Sequence, residues 1–238
     1  MSIIDSIKSS VFVPIHPAGT PFVILFCLVT LVLGWIWYPL FFIGFLLTIW
    51  CIYFFRNPDR VIPSSETDRF LVLSPADGKI VEVSNVVPDD EIGLPKKNYT
   101  KIGIFMNVFN VHVNRSPMTG KITNKNYIPG LFFNATLDKA SKENERMALV
   151  MDYDKNNKIA FVQIAGLVAR RIITDVDIGS ELKIGEVFGL IRFGSRVDVY
   201  FPEEAITKVL KGQTAIAGET IIAELKKTKP INKSKKLT

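Results

Sequence analysis

Apolar residues run almost uninterrupted through the first quarter of this chain, then give way to short apolar runs punctuated by glycine, proline, asparagine and aspartate. Positions 9 to 55 contain no Asp, Glu, Lys or Arg, a stretch more than twice the ~20 residues that one helix needs to cross a bilayer. Pro39 follows Gly34-Trp35-Ile36-Trp37-Tyr38 and divides the stretch into about 21–37 and about 40–55, because a proline ring removes a helical N–H and clashes with the preceding turn. A transmembrane helical hairpin fits this pattern. A single tilted helix with an interfacial segment, or a re-entrant pair, are open alternatives. In the hairpin, Trp35, Trp37 and Tyr38 sit at one interface, while Lys8, Arg56 and Arg60 hold both ends on the cytoplasmic side. Pro14, His16, Pro17 and Gly19 predict a surface loop before the first helix. The apolar region is too long for a cleaved signal peptide.

Beyond Arg56-Asn57-Pro58-Asp59-Arg60 the pattern changes to that of a β domain. Residues 71–73, 79–83, 101–113, 159–167 and 187–201 have the length and β-branched content of strands, and 137–147, rich in Ala, Lys and Glu, is the helical or irregular candidate. The predicted class is α+β: a mainly antiparallel β soluble domain behind an N-terminal transmembrane helical hairpin. The boundaries are a lead-in at 1–20, the hairpin at 21–55, one catalytic domain at 56–225 and a basic tail at 226–238. With 238 residues and 48% hydrophobic content, the chain suits one compact soluble core rather than two. Both cysteines, Cys27 and Cys51, lie in the apolar stretch, which argues against a disulfide framework or a cysteine metal site, and no metal is expected. The net charge of +6 is concentrated at Lys226, Lys227, Lys229, Lys233, Lys235 and Lys236, a solvated tail able to attract an anionic leaflet. No aromatic-basic stripe accompanies it, so nucleic acid is not an expected partner.

Candidate chemistry centres on Arg192-Phe193-Gly194-Ser195-Arg196, set between two strand-like runs. Gly194 lacks a side chain to shield its carbonyl and reaches backbone angles closed to other residues, so the Ser195 hydroxyl can approach that carbonyl. A serine hydroxyl needs a base. The chain holds two histidines; His16 precedes the hairpin, leaving His112 as the only imidazole of the β domain, with an ordinary pKa of about 6.5 suited to exchanging a proton with serine. Asp77, in Ala76-Asp77-Gly78 before a strand, is either a turn residue or the carboxylate that orients the imidazole.

The run Arg192 to Pro202, RFGSRVDVYFP, resembles the processing site of phosphatidylserine decarboxylases. Four further stretches resemble the same family in order: Ser74-Pro75-Ala76-Asp77-Gly78-Lys79, Phe109 to Pro117 (FNVHVNRSP), Phe133 to Ser141 (FNATLDKAS) and Gln163 to Arg171 (QIAGLVARR). Longer bacterial relatives carry a histidine three residues before the one that aligns with His112, a position held here by Phe109, so the resemblance is to the short form.

The resemblance implies an Asp77, His112, Ser195 set for self-cleavage between Gly194 and Ser195. His112 acts as base and Asp77 orients it. Residue 195 becomes a covalent pyruvoyl group, the cofactor. That group forms a Schiff base with phosphatidylserine, and carbon dioxide and phosphatidylethanolamine leave. His112 also stands as candidate proton donor in turnover. It further implies that a large chain (1–194) and a small chain (195–238) of one precursor stay associated at the inner (cytoplasmic) cell membrane, catalytic domain on the cytoplasmic side. Self-association into a homo-oligomer is open. The runner-up is a membrane-anchored lipoyl-carrier-like β domain modified at Lys139, since Asp138-Lys139-Ala140 matches the carrier tripeptide. A processing-dead protein that keeps the fold is a third reading, though Asp77, His112, Gly194 and Ser195 are all present.

Overall fold

The computed structural model describes residues 13–63, 70–136, 140–154, 157–167, 171–192 and 194–226. Residues 1–12 of the lead-in, Lys139 of the carrier reading and the tail beyond Lys226 lie outside them.

Two apolar helices come first, α1 (Thr20–Ile36) and α2 (Tyr38–Phe54). Pro39 falls in the first turn of α2, where a missing N–H costs nothing. The helices form an antiparallel pair: Thr30 and Thr48 share a hydrogen bond at 3.0 Å, and Gly44 leaves the space that Thr30 fills. The run Pro17–Ile36 is long and apolar enough to cross a membrane, whereas Tyr38–Phe54 is shorter. Residues 14–19, expected as a surface loop, are instead tied to the hairpin exit. His16 N–H donates to Phe55 O at 2.8 Å, Asn57 N–H donates to Pro14 O at 2.6 Å, and the Phe55 ring covers Gly19 so closely that no side chain fits there.

The remaining described residues form an antiparallel β domain. Its main sheet has eight strands in the order β13 (Thr214–Ala215), β2 (Gly78–Val86), β3 (Tyr99–Met106), β11 (Ser195–Pro202), β7 (Asn157–Ile164), β6 (Arg146–Asp154), β5 (Gly120–Ile128) and β9 (Glu181–Leu182). Two three-stranded sheets pack beside it. One is β1 (Leu71–Leu73), β14 (Ile221–Glu224) and β12 (Ile206–Thr207); the other is β4 (Val113–Arg115), β10 (Val187–Ile191) and β8 (Ile172–Thr174).

Two expected elements differ. The strand expected over 101–113 breaks after Met106, because Asn107 and Asn110 build a side-chain-capped turn: Asn107 N–H donates to Asn110 Oδ1 at 2.9 Å, and Phe109 N–H to Asn107 Oδ1 at 2.8 Å. The segment expected as helical over 137–147 is helical only at α3 (Ala140–Glu143); Arg146 already starts β6, whose pairing with β5 and β7 overrides local propensity.

β11 sits at the centre of the main sheet, buried on both faces. Val197, Val199 and Phe201 enter one apolar core and Tyr200 a second on the opposite side, as the two-residue period of a strand requires. Arg196 and Asp198 share the Tyr200 side by that period, both fully buried. Arg196 donates to the carboxylates of Asp198 and Glu82, Ser141 Oγ donates to Asp198 at 2.6 Å, and Lys101 pairs with Glu82 at 2.7 Å. Gly103, opposite Asp198 on β3, is bare because the guanidinium occupies the volume a Cβ would need. Burial works against ionisation of Glu82, but hydrogen bonds from Lys101, Ser84 and Arg196 outweigh it and hold its pKa at about 2. Arg196→Met strips the cation from the buried Asp198 and the half-buried Glu82 and is expected to cost about 3–5 kcal/mol, read from denaturant unfolding of the full chain in detergent; an unchanged midpoint would show that the network contributes nothing.

Candidate active site

The chain passes from one sheet to another at residues 192–194. β10 belongs to the sheet with β4 and β8, while β11 enters the main sheet with Ser195 opposite Met106 of β3. Between them Gly194 adopts φ +64°, a left-handed conformation that favours glycine. Ser195 is completely buried, and its Oγ has no hydrogen-bond partner among the described residues.

His112 closes the turn that begins after Met106. Its carbonyl accepts the Ile191 N–H at 3.3 Å, so its backbone lies beside the strand that leads into the junction. The ring is fully buried and stacks on Phe54, the last residue of α2, with centroids 4.1 Å apart. Its Nδ1 lies 3.0 Å from the Asn110 carbonyl oxygen. A carbonyl only accepts, which assigns the proton to Nδ1 and leaves Nε2 as a bare acceptor. Nε2 is buried and has no partner among the described residues. Burial lowers the His112 pKa to about 4; the Asn110 carbonyl opposes the shift and the Arg56 cation adds to it. The imidazole is therefore neutral at pH 7, the form a base requires.

Asp77 precedes β2 at the same end of the sheet. Lys79, Phe105 and Arg196 form one row across β2, β3 and β11, so Asp77 and Ser195 each lie just before that row. Asp77 does not hydrogen-bond His112. One Arg60 nitrogen donates to both of its oxygens, at 2.9 and 2.8 Å, and Ala217 N–H donates to Oδ1 at 2.8 Å. Here the Asn110 carbonyl sets the imidazole tautomer, because Asp77 is drawn toward the linker cation.

Two buried amides join the remaining motif segments to the junction. Gln163 donates to Asn114 at 2.8 Å and accepts from Thr174 at 2.8 Å. Asn144 donates to the carbonyls of Phe133 and Ala165, at 2.8 and 2.7 Å, and accepts the Phe133 N–H at 2.8 Å. Phe109 is 62% exposed, and its carbonyl accepts from Arg56 at the hairpin exit at 3.0 Å. Sequence reasoning missed Phe54, Arg60, Asn110 and Asn144. Only the folded chain brings a hairpin phenylalanine and a linker arginine to this place, and nothing in their local sequence signals it. Among the described residues no cluster of His, Cys, Asp or Glu could hold a metal ion.

Ser195 is thus a fully buried hydroxyl directly after a left-handed glycine, and His112, whose carbonyl holds Ile191 at the end of the strand leading toward it, carries a buried, neutral imidazole. In comparison with known protein families, residues 47–223 match the family described as phosphatidylserine decarboxylase, well over half of the 238-residue chain. The chain belongs to that family, and membership implies a decarboxylase, a carboxy-lyase.

Since the folded pKa of about 4 lies below the free value of 6.5, the unfolded chain binds an extra proton between the two. Stability is expected to fall as pH drops from 6.5 toward 4, and His112→Gln to remove that part of the slope. Cleavage at position 194 that uses His112 as base should half-decline near pH 4; a half-decline near 6.5 in a pH series would contradict the buried neutral ring.

Proposed function

We propose that this chain is a pyruvoyl-dependent phosphatidylserine decarboxylase that matures by cutting itself between Gly194 and Ser195. The observation that carries the reading is a buried, unpartnered Ser195 hydroxyl directly after left-handed Gly194, with a second buried, unpartnered acceptor, Nε2, on His112, whose backbone carbonyl holds Ile191. A buried polar atom without a partner is costly, and a site that must keep a hydroxyl and a base ready for each other accounts for the cost.

In this reading Nε2 takes the Oγ proton, Oγ bonds to the Gly194 carbonyl carbon, and the C–N bond breaks as its nitrogen recovers a proton. The peptide bond has become an ester. Removal of the residue 195 Cα proton expels the Gly194 carboxylate, and the dehydroalanine left at the new terminus takes up water and releases ammonia. A pyruvoyl group remains. Its ketone supplies the electron sink that accepts the pair freed when carbon dioxide leaves the bound substrate. In this reading His112 serves self-cleavage and is also the candidate proton donor in turnover. Asp77 orients it after exchanging Arg60 for the imidazole.

Strand pairing supports two chains that stay together. β11 is bonded to β3 and β7, β13 to β2, and β14 to β1, so every sheet contribution of 195–226 except β12 is paired directly with a strand of 1–194. The hairpin supports a membrane location, with the β domain on the cytoplasmic side and segments at 1–20, 21–55, 56–225 and 226–238. Ile24, Leu28, Leu31, Phe42 and Leu46 face outward uncovered, and Trp35, Trp37 and Tyr38 are exposed at the bend, as interfacial aromatics are. The substrate requires this location, since withdrawing a lipid costs about 0.8 kcal/mol per methylene.

Intact-mass analysis of the membrane-extracted protein should give two chains, the smaller blocked by an α-keto group and lacking the residue 195 amine. Ser195→Ala should remain one chain and release no carbon dioxide from carboxyl-labelled phosphatidylserine. A wild-type protein that stays whole in its membrane would overturn the proposal.

A further inference from the structure

The Gly194 carbonyl points into a slot made by a second glycine. A Cβ on Gly166 would overlap Gly194 O and lie 2.9 Å from Gly194 C, distances no side chain tolerates. On the far side the same position is 3.4 Å from Ala135 Cβ. The chain just before each of these residues, Gly166 and Ala135, is tied by one side chain: buried Asn144 bonds Phe133 N–H, Phe133 O and Ala165 O, and Ala165 N–H donates to Glu145 O at 2.9 Å. By contrast, among the described residues other than its chain neighbours nothing lies within 4 Å of the Cβ position of Gly194 itself. The junction is thus gripped at its carbonyl oxygen and open on its α-carbon.

We infer that Gly166 is a positioning residue for self-cleavage, its missing side chain being the seat that aims the Gly194 carbonyl at Ser195. The inference rests on the self-cleavage proposed above. Attack converts the planar carbonyl carbon into a tetrahedral one, and its geometry depends on where the oxygen is held. With the oxygen lodged against the Gly166 α-carbon, the carbonyl cannot rotate away between collapse and attack, so Oγ meets a fixed electrophile. A methyl group at position 166 would displace the oxygen by a large part of an ångström, and a misplacement of about 1 Å can cost a hundredfold in rate. The step affected is the first one: C–O bond formation and C–N cleavage at Gly194, before any elimination at residue 195.

The test is Gly166→Ala in the full-length protein, followed by intact mass in detergent over time, with and without hydroxylamine. Hydroxylamine intercepts an ester, giving a Gly194 hydroxamate and a small chain that begins with unmodified Ser195. Gly166→Ala is expected to mature about a hundredfold more slowly and to yield hydroxamate at the same slowed rate, because ester formation is the step that is retarded. Ala135→Val, which presses on the slot from its other wall, should slow the same step to a lesser degree. Gly120→Ala is the control, since a Cβ there meets Asp152 O and Met151 on β6 and strains the sheet away from the junction; it should mature at the wild-type rate. The inference is overturned if Gly166→Ala and Ala135→Val both mature normally, if hydroxylamine cleaves Gly166→Ala as fast as it cleaves wild type, or if Gly120→Ala is slowed as much. Each of these outcomes presupposes that wild type cleaves, whereas an uncleaved wild type defeats the parent reading instead.

Discussion

The fold depends on keeping an ionised arginine in the middle of a sheet. Arg196 is fully buried, and a lone guanidinium there would be prohibitively costly. Asp198 on the same strand and Glu82 on β2 neutralise it, with Lys101 and Ser141 completing the set. These partners fix β11 against β3 and β7 in one register, since a slip by one residue would place every charge in an apolar core. Ser195 is the residue immediately before this arginine. Its position is therefore inherited from the strongest electrostatic constraint in the domain, and the junction before it is the place where the chain must change sheets.

The hairpin is built into that arrangement. Cys51, Phe54 and Phe55 share an apolar cluster with Leu190 of β10, and the Phe54 ring lies against His112. Burial under Phe54 is part of what keeps the imidazole neutral, and Arg56, two residues further on, adds to the effect. The linker then supplies Arg60 to Asp77. An anchor that merely tethered the domain would not need these contacts. Here the last residues of the hairpin pack against the candidate site, so that the site's electrostatics and its join to the apolar helices are set by the same few side chains.

Much was legible along the chain because it rests on local chemistry. Uncharged length announced the hairpin, Pro39 its bend, and the β-branched, apolar content of 187–201 the strands on either side of the junction. Gly194-Ser195 and His112 stood out as candidates because the chain has only two histidines and the dipeptide sits between two strand-like runs. Other features were hidden for a physical reason: β5 and β6 carry weak individual patterns and exist through pairing across the sheet, and the break at 107–112 depends on two asparagine side chains closing a turn within a run that otherwise reads as strand.

The amino-acid order alone determined which residues carry reactive groups, where the apolar helices lie and how the faces of each strand are sorted, since these follow from composition and period. Tertiary structure decided the rest: that Asp77 holds Arg60 and not His112, that Asn110 orients the imidazole, that Asn144 clamps Phe133 to Ala165, and that Gly166 receives the Gly194 carbonyl. Those are contacts between residues far apart in sequence or between backbone atoms every residue possesses, and no local pattern encodes which pairs will meet.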